Sequence, residues 1–127
     1  MSLDTTFLID LRRGNPAAIA KAKSIEDSGE PRCVTAPVAV ELLVGGHRFG
    51  GMHLDRTRKL LASLILLSTD VESCEEAGRI GADLLARGEA LGGTDLMIAG
   101  ISKRHGQPLL TRDRSFARVP GLAVETY

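Results

Sequence analysis

The sequence predicts a three-layer α/β/α sandwich whose sheet is mostly parallel and has about five strands. Short apolar runs of the strand type alternate with helical patterns along the whole chain, and this alternation is typical of α/β domains with a parallel sheet. The 127 residues are 43% apolar and contain no linker, repeat or low-complexity tract. A chain of this size can bury a core without disulfides or a structural metal, so we expect residues 1–127 to form a single domain.

The first strand and the helix after it are closely spaced. The strand must end at about Asp4, because Thr6 is a residue type that caps helices and a helical pattern covers residues 7–13. Gly14 follows that pattern, at a position where glycine commonly ends a helix. We therefore predict a very short strand followed directly by a helix.

Clear start and stop signals define the second helix. Asn15 is a favoured N-cap residue and Pro16 a favoured first helical residue, while Gly29 lies where a left-handed residue would end the helix. Residues 32–36 have the composition of a second strand. The next helix is predicted over residues 37–44.

The middle of the chain predicts a loop, a helix and a short strand. Glycines are frequent over residues 45–51, which indicates a loop. A helix is expected from Leu54, because Leu60 and Leu64 recur at helical spacing. The third strand is expected over residues 66–68.

The longest helical pattern begins after Asp70, which is a good N-cap. It carries a stripe of apolar residues that predicts one buried face: Ala77, Ile80, Leu84 and Leu91. The glycines at 92 and 93 end this pattern, and Thr94 is predicted to cap a last helix over residues 95–105. Strands over residues 108–111 and 122–125 complete the sheet.

Composition and charge argue against several kinds of nucleic-acid or nucleotide binding. The 16 Lys and Arg residues balance 16 Asp and Glu residues, whereas proteins that hold nucleic acid through net charge are basic. Three Phe, one Tyr and no Trp leave little material for base-stacking platforms. The glycine-rich segment 45–51 lacks the Lys-Ser/Thr ending of a phosphate-binding P-loop.

The sequence also bears on the compartment. Cys33 and Cys74 lack the paired spacing of a disulfide framework or a zinc site, so we expect both to be reduced. Acids at positions 4 and 10 interrupt the first apolar residues, which is unlike a signal peptide. The longest apolar run, residues 60–67, is too short to span a bilayer. We expect a cytoplasmic protein without membrane contact.

Four carboxylates stand at unusual positions. Asp4 and Asp113 follow predicted strands, Glu41 is the only charge in the apolar pattern 37–44, and Asp95 lies in the first turn of the last helix. Each one alone has an ordinary explanation: Asp4 as a helix cap, Glu41 as a solvent-facing side chain, Asp95 as a helix-start acid and Asp113 as a turn residue.

Taken together, the four acids predict a metal site. Ligands bind at the carboxyl ends of parallel strands, and this topology brings all four acids toward one edge of the sheet. Carboxylates gathered there repel one another unless divalent cations neutralise them. Oxygen ligands suit Mg²⁺ or Mn²⁺, and such ions can activate water and stabilise the leaving oxygen in phosphodiester hydrolysis.

Four segments, in order along the chain, resemble the acidic motifs of PIN-domain ribonucleases. They are Leu3–Asp10 (LDTTFLID), Pro37–Gly45 (PVAVELLVG), Thr94–Ala99 (TDLMIA) and Leu110–Phe116 (LTRDRSF). The resemblance is specifically to the VapC-type toxins of prokaryotic toxin–antitoxin pairs. It extends nearly end to end and includes the closing stretch 116–122.

The resemblance implies a PIN-like fold and an Mg²⁺- or Mn²⁺-dependent endoribonuclease. By the same likeness, the metal ligands and catalytic acids would be Asp4, Glu41, Asp95 and Asp113, supported by Thr6 and Thr111. Many family members carry Asn where this chain has Thr6. The family also implies a homodimer and a small cognate antitoxin that occupies the active-site groove.

Arginines flank the acidic motifs and could hold RNA phosphates. Arg112, Arg114 and Arg12 are the candidates, and the alternative is that they form a solvated charged rim. A second alternative concerns the whole protein, which could be a catalytically silent PIN-like module that binds RNA or protein. A phosphatase of the haloacid dehalogenase kind would need a second Asp two residues after the first, where this chain has Thr6.

Overall fold

A parallel sheet of five strands lies at the centre of the molecule. The structure, a computed structural model, describes residues 1–127. The strands are β1 (Ser2–Leu3), β2 (Cys33–Thr35), β3 (Ile65–Leu67), β4 (Leu109–Leu110) and β5 (Val124–Glu125). Their order across the sheet is β3-β2-β1-β4-β5, and all neighbours are parallel. This architecture confirms the predicted fold class.

Six α-helices connect the strands and cover the sheet. They are α1 (Thr5–Arg12), α2 (Pro16–Ser28), α3 (Ala36–Phe49), α4 (Gly51–Ala62), α5 (Val71–Ala86) and α6 (Gly93–Arg104). A short 3-10 helix, Arg114–Arg118, lies between β4 and β5. No helix is long and apolar enough to cross a membrane.

The caps of α2 and α5 agree with their sequence signals. The Asn15 side chain accepts hydrogen bonds from the backbone N–H groups of Ala17 and Ala18, at 2.9 and 3.1 Å. Gly29 ends α2 with a φ of 71°, a conformation that disfavours residues with a Cβ. Asp70 caps α5 by accepting from the backbone N–H of Ser73.

The prediction of a loop over residues 45–51 is wrong. α3 continues to Phe49, and α4 begins at Gly51, so Gly50 alone separates two helices. Gly46 lies inside α3, where an added Cβ would meet the side chains of Leu54 and Thr57 at 3.1–3.4 Å. The glycine therefore permits close packing of α3 on α4 and does not break the helix.

Two predicted caps are also wrong. Asp4, not Thr6, occupies the N-cap position of α1, and its side chain makes no capping bond there. Gly92, not Thr94, is the N-cap residue of α6. In both cases the helix begins earlier than predicted, because a residue in extended conformation passes directly into the first turn.

The helix that carries Asp95 packs very closely on its neighbour. A Cβ added to Gly100 of α6 would lie 2.6 Å from the Cβ of Ala77 in α5, and one added to Gly81 of α5 would lie 3.1 Å from a methyl of Leu96. On the sheet side of α6, the Ser102 hydroxyl donates to that of Ser2 in β1. These contacts fix the position of α6 relative to the sheet.

Candidate active site

Asp4 lies at the carboxyl end of β1 and is held in place by two hydroxyl groups. Its side chain is buried, with the residue 5% exposed. The Oδ2 atom of Asp4 accepts hydrogen bonds from Thr111 Oγ1 at 2.6 Å and from Thr6 Oγ1 at 3.0 Å. Because both donors use Oδ2, the orientation of the carboxylate is fixed while Oδ1 makes no hydrogen bond within the protein.

The turn after β4 positions Asp113 beside Asp4. The backbone N–H of Asp113 donates to Thr111 Oγ1 at 3.0 Å, so one threonine contacts both acids. The Oδ1 atom of Asp113 accepts from the backbone N–H of Ser115 at 2.8 Å and starts the 3-10 helix. Asp113 is otherwise exposed.

Glu41 reaches the site from α3 and is exposed. Its Oε2 atom accepts a hydrogen bond from the hydroxyl of Thr5 in the first turn of α1. Thr5 is not among the residues predicted from the sequence. Its position directly after Asp4 is the only sequence signal, and that signal does not reveal a partner 36 residues away.

The negative charge of Asp95 is opposed by burial and by the other three acids. Asp95 lies in the first turn of α6 and is half-buried. Burial raises the pKa of Asp95, and the negative charges of Asp113, Asp4 and Glu41 raise that pKa further. The fold therefore brings Asp4, Glu41 and Asp113 near Asp95, and these four acids together are called the acidic cleft.

The oxygen donors of this cleft fit a hard divalent cation, although the four side chains do not converge on one position. All four groups offer carboxylate oxygens, which suit Mg²⁺ and Mn²⁺. No three of the carboxylates are close enough in the structure to hold one ion between them. Because the Asp4 carboxylate is held in place, binding of a cation would involve rotation of other side chains of the site, such as Glu41 and Asp95, toward it.

A buried hydroxyl at the same sheet edge was not predicted. Thr35 ends β2, and the strand register places it beside Asp4. The Thr35 hydroxyl is fully buried and has no hydrogen-bond partner. Such groups are uncommon in proteins, and this one fits a site that takes a polar ligand.

Asp10 is a second buried acid, and it is not among the predicted site residues. The residue is 5% exposed. Its Oδ2 atom forms an ion pair with Arg112 Nε at 3.0 Å and accepts a hydrogen bond from the Tyr127 hydroxyl at 2.7 Å. Burial and the Asp10 carboxylate raise the pKa of Tyr127 to about 12, so the phenol stays neutral and donates at neutral pH.

The three arginines predicted to bind RNA have different surroundings. Arg112 is engaged by Asp10, although its side chain is 54% exposed. Arg12 contacts the imidazole of His53 on α4 at 2.9 Å. Arg114 is exposed on the 3-10 helix. Their role in RNA binding stays a prediction.

A parallel sheet with acids gathered at the carboxyl ends of its strands is the arrangement predicted from the motifs. The chain belongs to the PIN-domain family, whose model matches residues 1–122. It is similar to the tRNA(fMet)-specific endonuclease VapC of Shigella flexneri, with 26% identity over 98% of this chain and 96% of that protein. The enzyme of the same name from Salmonella typhimurium is 27% identical over the same shares.

Solved structures show the same likeness. DNA-bound VapBC from Salmonella typhimurium contains a chain that is 25% identical, with a TM-score of 0.83 over 98% of this chain and 96% of that one. VapBC2 from Rickettsia felis, bound to a promoter DNA fragment, has a TM-score of 0.85 at 17% identity, over 99% and 97% of the two chains. The predicted resemblance to PIN-domain proteins of the VapC type is confirmed.

Proposed function

We propose that this protein is an Mg²⁺- or Mn²⁺-dependent endoribonuclease and the toxin of a toxin–antitoxin pair. The observation that carries the proposal is the gathering of four carboxylates at one end of the sheet, where burial and the three neighbouring charges raise the pKa of Asp95. Bringing these negative charges together on folding is unfavourable unless a bound cation neutralises them. The relatives support RNA as the substrate class, because two proteins similar over nearly their whole length are named tRNA endonucleases.

The residues of the chain have distinct tasks in this reaction. Asp4, whose Oδ2 is held by Thr6 and Thr111, would help to hold the cation. Asp95 on α6 and Glu41 on α3 would hold it together with Asp4. The chemistry supplied by a divalent cation at this place is activation of water and stabilisation of the leaving oxygen.

Asp113 is suited to orient the attacking water. Its Oδ1 is used by the backbone N–H of Ser115, and its Oδ2 makes no hydrogen bond within the protein. A carboxylate oxygen held in this way can accept a hydrogen bond from water while the backbone fixes its direction. Attack of water on the phosphorus, with the 3′ oxygen as the leaving group, would leave 5′-phosphate and 3′-hydroxyl ends.

Besides the active-site groove, an apolar groove elsewhere on the surface offers a place for the antitoxin. A cavity of about 420 Å³ lies among α1, α2 and α4, and its lining includes Leu8, Leu11 and Leu60. The same three leucines also line a second cavity beside Arg12, so the groove runs along α1. A similar chain was solved in a toxin–antitoxin complex from Klebsiella pneumoniae, which supports an antitoxin as the partner, and the apolar lining of the groove favours an apolar segment of it.

A second copy of the chain fits another surface. Val40 and Val44 are four residues apart on α3, and with Met97 of α6 they form an exposed apolar strip beside Glu41. Burying such a strip in a homodimer would remove apolar area from water and bring two acidic clefts near one another.

We propose that the toxin and its antitoxin act in the cytoplasm.

Asp4→Asn and Asp95→Asn variants test the proposed reaction. Each removes a charged ligand while keeping the side-chain shape, so Mg²⁺-dependent cleavage of tRNA should fall by at least about 100-fold. Asp55→Asn, which changes an exposed acid on α4, is the matched control and should keep full activity. Equal rates for Asp95→Asn and wild-type protein would show that the site is assigned wrongly.

The alternative of a silent binding module is tested by calorimetry. The proposed enzyme should bind Mn²⁺ in the absence of RNA, and Asp95→Asn should weaken that binding. A protein that binds RNA but neither binds Mn²⁺ nor cleaves would be the module.

A further inference from the structure

Asp10 joins three separate segments of the chain. It lies on α1, Arg112 follows β4, and Tyr127 follows β5. Arg112 forms an ion pair with Oδ2 of Asp10 at 3.0 Å, and the Tyr127 hydroxyl donates a hydrogen bond to the same atom at 2.7 Å. The Tyr127 ring also packs edge-on against Phe7, with ring centroids 5.0 Å apart.

The sheet register explains why these residues meet. Leu110 pairs with Glu125, and the backbone N–H of Thr111 donates to the Glu125 carbonyl. Continuing this pairing by two residues brings Arg112 alongside Tyr127 just beyond the sheet. Asp10 therefore ties together the two segments that leave β4 and β5.

The same turn carries two residues of the acidic cleft. Arg112 stands between Thr111 and Asp113, and its backbone N–H contacts Thr6 Oγ1 at 3.4 Å. Thr6 lies four residues before Asp10, so both project from one side of α1. An unbroken series of contacts thus leads from Asp10 through the turn to the Oδ2 atom of Asp4.

We propose that Asp10, Arg112 and Tyr127 form a positioning network that holds the Thr111–Asp113 turn against Asp4. Arg112 acts through this network and not by contact with RNA. The proposal rests on the proposed function, because the network serves a cleft that binds a divalent cation.

Because Asp10 is buried, its charge depends on both of its partners. The Asp10 side chain is 7% exposed, so its charge needs the guanidinium and the phenol as partners. Removing either partner leaves a buried carboxylate with one bond fewer, and the turn is then free to shift. Partners that orient metal ligands in this way typically contribute about 10–100-fold to metal affinity or activity.

Mn²⁺ titration of the protein without RNA is the principal test. Asp10→Asn, Arg112→Gln and Tyr127→Phe should each bind Mn²⁺ about 10–100-fold more weakly than wild type. Asp55→Asn and Arg58→Gln, which change exposed charges on α4, are the matched controls. Arg112→Lys should recover part of the loss, because an ammonium keeps the positive charge that pairs with Asp10 but differs in shape from the guanidinium.

Kinetics separate positioning from RNA contact. The network predicts a lower kcat, with KM and the salt dependence of RNA binding unchanged. If Arg112 instead touched phosphates, Arg112→Gln would raise KM and flatten the salt dependence. In that case Asp10→Asn, which removes a negative charge beside Arg112, would tighten RNA binding, and the proposal would be overturned.

Tyr127→Phe keeps the test valid if a charge variant fails to fold, because it removes a single hydroxyl group and keeps the ring on Phe7. A Tyr127→Phe protein that unfolds as wild type and binds Mn²⁺ more weakly supports the network. Variants that bind Mn²⁺ as tightly as wild type overturn the network alone. A wild-type protein that binds no Mn²⁺ overturns the proposed function, and the network with it.

Discussion

Gly100 provides a test of how the fold positions Asp95. In Gly100→Ala, the new methyl would lie 2.6 Å from the Cβ of Ala77 and 2.8 Å from its backbone nitrogen. Non-bonded carbon atoms normally approach to about 3.5–4.0 Å, so α5 and α6 must separate locally by about 1 Å. No side-chain rotation relieves this contact, because the atoms that block the methyl are the backbone and Cβ of Ala77.

Gly78→Ala is the matched control for this substitution. Gly78 lies inside α5, and nothing stands within 4 Å of an added Cβ. Replacing glycine by alanine inside a helix gains about 1 kcal/mol of intrinsic stability, which is common to both variants. Overpacking costs about 1–3 kcal/mol, so Gly100→Ala should be less stable than Gly78→Ala by that amount.

Urea denaturation and thermal unfolding measure the difference. One kcal/mol corresponds to about 4 °C in Tm for a domain of this size, so the two melting temperatures should differ by about 4–12 °C. Gly78→Ala should melt at or above the wild-type temperature. Equal Tm values for the two variants would refute the conclusion that Gly100 sets the spacing of α5 and α6.

Three further predictions follow from individual contacts. Asn15→Ala removes the two capping bonds of α2 and should lower the free energy of unfolding by about 1 kcal/mol in urea, whereas Asn15→Asp should keep most of it. Asp95→Asn should raise the Tm of the metal-free protein, because burial and three neighbouring carboxylates oppose its charge; a lower Tm would contradict this reasoning. Hydrogen bonding and charge from Lys103 lower the pKa of Glu76 below its ordinary value of 4.5. The contact therefore stabilises the fold fully above pH 4.5, and this stabilisation is lost as the pH falls through the lowered pKa of the folded state. Glu76→Gln should thus be less stable than wild type at pH 7, with the difference vanishing under acid; a constant difference in urea denaturation across pH would argue against it.

Local signals in the sequence predicted much of the fold. The start of α2 follows from Asn15 and Pro16, whose preferences act within one helical turn. Gly46 shows where such reasoning fails. A glycine that allows α3 to pack on α4 is indistinguishable in sequence from one that ends a helix, because the side chains it meets belong to another segment.

The same limit applies to the candidate site. Motif order and strand ends indicated which acids gather, and the structure places Asp4 and Asp95 in one cleft. The contacts that orient them join residues far apart in sequence, as Thr111 does with Asp4 and Arg112 does with Asp10. Such partners are set by strand register beyond the ends of β4 and β5, and two-residue strands carry too little pattern for register to be predicted.

The ends of cleaved RNA test the central claim most directly. We expect tRNA incubated with the protein and Mg²⁺ to be cut into fragments with 5′-phosphate and 3′-hydroxyl ends, and cutting to stop in EDTA. These ends require attack by water at the phosphodiester, which is the chemistry proposed for the cleft around Asp4. Cleavage that persists in EDTA, or that leaves 2′,3′-cyclic phosphate and 5′-hydroxyl ends, would contradict the account.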